Sequence, residues 1–126
     1  LKTYGLTIYL IHNANVDLKE ILEVIGEDGR QSTWKISDAD CLGESAETLH
    51  KFSDEGKEIS GIQFYKLALG IYQTLSGEFN SYKPNTKLHW LLIRSIRGDE
   101  FDIETDDFTL LNKFRNKFKD VKDLIY

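Results

Sequence analysis

Two hydrophobic periods alternate along this chain, and the points where they switch divide it into elements. The longest helical pattern runs from Ser60 to Leu75. There Ile62, Phe64, Tyr65, Ala68, Leu69, Ile71, Tyr72 and Leu75 cover half the circumference. Ser60 followed by Gln63 is a capping-box pair, Ile59 and Phe64 are spaced as a hydrophobic staple, and Gly77 offers a left-handed stop. So broad an apolar face predicts burial against a sheet and a second helix, with both tyrosines serving as core.

Period-two alternation predicts the strands. Tyr4 to His12 is apolar on both faces, as an interior strand is, and Ser32 to Ile36 reads as a short strand with Trp34 and Ile36 inward. Phe79 to Tyr82 reads as a short, edge-like strand. Lys87 to Arg97 and the return through Phe101 and Ile103 make a hairpin, 88–97 with 100–105, turning at Gly98-Asp99. Further helices are predicted from Val16 to Ile25 capped by Asn15, and from Glu44 to Asp54 closed by Gly56. A last one is predicted from Phe108, with Leu111, Phe114 and Phe118 at helical spacing before Val121 and Ile125. Glu27-Asp28-Gly29 is read as a turn and Ser37 to Glu44 as a loop.

These elements predict one α+β domain over residues 1–126. Its antiparallel or mixed sheet has about four or five strands packed on one face by helices, in the order β-α-β-α-α-β-β-β-α. A chain of 126 residues can bury a core without staples. The single cysteine, Cys41, forms no internal disulfide, which suits a reducing cytoplasm. No apolar run approaches the ~18 residues of a membrane span.

Charge narrows the partners. Residues 1–58 hold 12 acidic and 6 basic residues, whereas residues 59–126 hold 9 and 10, giving a net charge of −5 overall. That balance argues against duplex nucleic acid, which needs a basic footprint, and is compatible with a basic protein partner.

Candidate chemistry is sparse. Asp38 and Asp40 form an Asp-x-Asp pair of the kind that holds a divalent metal, but two carboxylates supply too few oxygens for a hard cation, so turn and capping duty is the plainer reading. A nucleophilic Cys41 needs an activating base, and His50, nine residues on, is the candidate in reach. The plainer reading makes the thiol a small core group. No metal-ligand histidine spacing or glycine-rich phosphate loop is present, so no cofactor is expected.

Asp99, Glu100, Asp102, Glu104, Asp106 and Asp107 put six carboxylates into nine residues with no base among them. The first five are the candidate partner-binding strip, with Asp102, Glu104 and Asp106 on one strand face. The competing reading is acids placed at the start of the last helix, where its dipole favours them.

From Gln73 to Val121 the chain runs Gln-(3)-Gly-x-Phe, a Trp-bearing strand, an acidic hairpin, an Asp-initiated helix and Phe-x-x-Val. This layout resembles small uncharacterised bacterial proteins of unknown function, which implies a bacterial cytosol and no site residues. The leading expectation is therefore a non-enzymatic interaction module, one version being an acidic antidote to a basic toxin. The alternatives are a small hydrolase or ligand-binding enzyme using the Asp38–Cys41 loop, and a self-associating structural subunit.

Overall fold

Leu6, Ile103, Ile93, Phe79 and Ile36 are far apart in sequence, yet they stand side by side in one row across a β-sheet. All five are fully buried. The computed structural model describes residues 4–124. Its sheet comprises β1 (Tyr4–Tyr9), β2 (Thr33–Leu42), β3 (Glu58–Ser60), β4 (Gln73–Tyr82), β5 (His89–Ile96), β6 (Glu100–Thr105) and β7 (Val121–Asp123). All pairings are antiparallel, in the spatial order β3-β2-β4-β5-β6-β1-β7. The helices are α1 (Leu18–Ile25), α2 (Glu27–Gln31), α3 (Ala46–Glu55), α4 (Gly61–Leu69) and α5 (Phe108–Lys117). Their buried residues Leu18, Ile21, Phe64, Ala68, Leu111 and Phe114 join one core cluster with the apolar row.

Stepping one residue along each strand turns the side chains to the other face. The adjacent row reads Lys122, Thr7, Asp102, Arg94, Glu78 and Ser37, in register across six strands. One face of the sheet is thus hydrocarbon and the other is a polar ladder, which is the alternation an antiparallel sheet needs to meet a core on one side and water on the other.

The α+β class and the hairpin hold, with Ile96 opposite Glu100 and Leu92 opposite Glu104. The sheet has seven strands rather than four or five, and the chain order is β-α-α-β-α-β-α-β-β-β-α-β. Glu27–Gln31 is a helical turn. Three-residue strands at β3 and β7 are too short to show a period, and Val121 lies in β7; Ile125 lies outside the described residues. α1 starts at Leu18, capped by Asp17 rather than Asn15, which instead takes a left-handed backbone at φ 63°. The predicted loop at Ser37 to Glu44 is mostly strand. β2 continues to Leu42 through a bulge at which Asp38 has φ 53°.

The largest correction concerns the Ser60–Leu75 helix. Ser60 does cap it, accepting from the Gln63 N–H at 3.1 Å, but α4 ends at Leu69 and residues 73–75 already belong to β4. The cause is a tight crossing of two turns. Ser45 N donates to Gly70 O at 3.1 Å, and Tyr72 N donates to Leu42 O at 3.0 Å. A Cβ on Gly43 (φ 139°) would collide with the Gly70 carbonyl oxygen, and one on Gly70 would collide with Ser45 Oγ. The helical period of residues 70–75 is overridden by backbone contacts that only glycine permits. β4, expected to be short and edge-like, is ten residues long and lies between β2 and β5.

Asp17 locks this corner to α1. Its carboxylate accepts from Leu18 N at 2.8 Å, from Thr74 N at 2.8 Å and from Thr74 Oγ1 at 2.6 Å. Its own N–H donates to Glu20 Oε1 at 2.8 Å, completing a capping box. Asp17→Ala is expected to cost about 3 kcal/mol, since buried donors lose a charged acceptor as well as a helix cap. Urea denaturation measures this, and a loss below about 1 kcal/mol would show that the junction carries little.

Candidate functional site

β3 covers β2 only from Thr33 to Lys35, so the rest of that strand edge needs other partners. α3 supplies them. Ala39 N donates to Ser53 Oγ at 3.0 Å, and Cys41 N donates to His50 Nε2 at 3.0 Å. Leu49, next to His50 on α3, is fully buried. An open strand edge is a template for foreign strands, and a helix laid along it with two side-chain acceptors closes it.

This geometry brings Cys41 and His50 together, with Sγ 3.5 Å from Nε2. It also fixes what the pair can do. Nε2 accepts from the Cys41 backbone N–H at 3.0 Å, and the thiol meets the same nitrogen at 3.5 Å, so the two groups share one acceptor. Burial, together with the negative charges of Asp17 and Asp40, pushes the Cys41 thiol from its ordinary 9.0 up to about 12. A nucleophilic cysteine needs the opposite shift. The side chain is 2% exposed, so it functions as a packed core group.

Two measurements follow. Iodoacetamide at pH 8 should leave Cys41 unmodified in the folded protein and label it fast in denaturant. Fast labelling of the native state would contradict the assignment. The unfolded chain gives up the thiol proton at ordinary pH values and the folded chain holds it, so stability should fall as pH rises from about 9 toward 12. Cys41→Ala should flatten that part of the wild-type curve.

Asp38 and Asp40 flank the β2 bulge. The Asp38 carbonyl accepts from Ser76 Oγ at 3.4 Å, and Asp40 Oδ1 lies 4.0 Å from His50 Nε2. Among the described residues no three acidic, histidine or cysteine side chains gather as a metal cluster.

The strip of residues 99–106 meets arginines that lie outside it in sequence. Arg94 of β5 reaches Glu104 at 2.7 Å, Glu78 at 3.2 Å and Asp102 at 3.9 Å, and Asp102 also accepts from Thr7 Oγ1 at 2.7 Å. Partial burial works against the Arg94 charge, yet hydrogen bonds to Glu104 and Glu78 hold the guanidinium above its ordinary pKa. Arg97 pairs with Asp99 at 3.8 Å and Glu100 at 3.5 Å. β6 ends at Thr105, so the exposed Asp106 lies beyond the strand that holds Asp102 and Glu104. Asp107 caps α5 through Leu110 N at 3.1 Å. Four of the five candidate carboxylates are therefore ion-paired.

No family model, curated protein or solved structure matches this chain.

Uncompensated charge gathers elsewhere. Residues 38–58 carry seven acidic residues and two basic ones, a net charge equal to that of the whole chain. All seven carboxylates are exposed. Asp40 lies near the neutral face of His50, and among the described residues Asp38, Glu44, Glu47, Asp54, Glu55 and Glu58 make no ion pair. Their cause is local: α3 spends its inner side on β2 and turns its carboxylates to water. The excess of acid before residue 59 signalled this charge and the helix was expected, but the strand before it was read as loop.

At the end of this unit the crossed turns expose apolar side chains. Tyr72 is 74% exposed, Leu69 53% and Leu42 40%. Leu69 and Tyr72 line a cleft of about 480 Å³ with Gly43, Glu44, Gly70 and Ile71. Tyr72 also lines a second cleft of about 500 Å³, beside Asp17, Glu20 and Gln73. Expected to be core, Tyr72 is instead the most exposed aromatic named here. Tyr65 keeps the expected role, packing partly buried on the core with Arg30 over its ring at 5.7 Å.

Proposed function

We propose that this protein is a non-enzymatic binding module for a basic protein partner. The observation that carries this reading is the unpaired charge from β2 through α3 to the start of β3: six exposed carboxylates at residues 38–58 without a counterion among the described residues. Like charges held close raise the free energy of the isolated protein and steer an oppositely charged partner toward it. The strip at 99–106 serves this purpose less well, because Arg94 and Arg97 already neutralise most of it.

The same charge disfavours nucleic acid as a ligand. Among the described residues no helix is long and apolar enough to cross a membrane. A cytoplasmic setting suits the lone buried thiol. The acidic-antidote form of the idea is one instance, in which carboxylates cover the cationic surface of a toxin.

Affinity capture from a bacterial lysate tests the reading. A specific partner should have a basic isoelectric point, elute between about 0.15 and 0.5 M salt, and be lost when Glu44, Glu47 and Asp54 are changed to Lys. It should survive Asp106→Lys. A partner indifferent to the triple change and to salt would overturn the proposal, provided the variant still melts cooperatively.

A further inference from the structure

We infer that the cleft lined by Leu69, Tyr72 and Glu44 is a docking groove for a segment of a basic protein that presents one large apolar side chain flanked by lysine or arginine. The inference rests on the binding reading above and places its contact point. Exposure of one tyrosine would mean little by itself. Here Leu69 and Tyr72 line one cleft because two turns are stitched by the Ser45–Gly70 and Tyr72–Leu42 backbone bonds. Gly43 holds the turns at a separation from the Gly70 backbone that no Cβ allows. The result is a cleft of about 480 Å³ with a backbone floor. Stable contacts centre on rigid aromatic anchors inside a polar rim, and a tyrosine on such a turn supplies area with little entropy to lose.

Charge chooses the occupant. Glu44 lines the cleft itself, and Asp40 and Glu47 belong to the flanking strand and helix. A second copy of this chain is disfavoured, because a two-fold contact through the groove would set one β2–α3 carboxylate surface against the other. Lys19 lines the second cleft; no lysine or arginine lines the first, and Lys66, in the last turn of α4, is the cation on the helix that leads into it. A neutral apolar ligand would leave the carboxylates without a role. A cationic segment uses both features.

Selection of a random dodecapeptide display library against the immobilised protein tests this without knowledge of the natural partner. The expected winners combine lysine or arginine with an aromatic or aliphatic residue. They should bind Tyr72→Ala at least tenfold more weakly and lose affinity in 0.5 M salt. Tyr72→Ala should fold, since its exposed ring is removed while its backbone bond to Leu42 stays; Leu69→Ser provides a second variant. Basic winners indifferent to both variants would overturn the groove and leave the binding reading standing. Uncharged apolar winners that depend on Tyr72 would keep the groove and overturn the basic partner. Self-association through the groove, detected as a concentration-dependent sedimentation coefficient abolished by Tyr72→Ala, would overturn the assigned occupant. A library with no enrichment would overturn both claims.

Discussion

The free edge of β2 is the constraint on which the rest of this structure turns. β3 pairs with three of the ten residues of that strand, and what remains would expose backbone donors. α3 closes the gap with Ser53 and His50. Once the helix is fixed there, several features follow. His50 presents Nε2 to a backbone N–H, so the nitrogen that the thiol meets at 3.5 Å is already shared with the strand edge. Cys41 is shut into the core beside Asp17. The turn into α3 has to meet the end of α4, and only glycine at 43 lets the backbones approach so closely. A pair that resembles a catalytic dyad in sequence is thereby a device for finishing a strand.

The two acidic regions show how geometry decides what a charge is for. On β6 the carboxylates stand in the polar row of the sheet, where the neighbouring strand brings Arg94 among them. Ion pairs that are partly buried and shared in a network hold side chains in place and leave little field for a partner. On α3 the carboxylates face water beside few cations, and their field extends over a Debye length, about 8 Å at physiological ionic strength. Acid is denser along the chain around β6, six carboxylates in nine residues against seven in 21, yet it is the sparser run whose charge is available.

Much of the fold was legible. The hairpin of β5 and β6 followed from strict alternation around Gly98-Asp99, and α3 followed from Leu49 and the terminal Gly56. Ser60 was visible as a cap for α4. The misreadings share a cause, which is that tertiary contacts outrank local period. Residues 70–75 have a helical pattern, but the Gly43–Gly70 approach ends the helix. Ser37 to Leu42 look like a loop because of their aspartates, yet they pair with β4 around a bulge. The proximity of Cys41 to His50 could be guessed from spacing; that Nε2 accepts from the Cys41 backbone N–H could not, because this depends on where one backbone N–H points. Likewise Arg94 lies before the acidic run in sequence, and only strand register brings it into the run.

Native-state hydrogen exchange of individual amides tests the central claim most directly. If α3 closes the β2 edge, the Ala39 and Cys41 amides exchange at rates near those of the β4 core, although neither faces a partner strand on that side. In His50→Ala, protection of Cys41 falls selectively while Ala39 stays slow. Fast exchange of both amides in the unmodified protein would mean that the edge is open, and the account of His50, of the idle thiol and of the fixed acidic surface would fall with it.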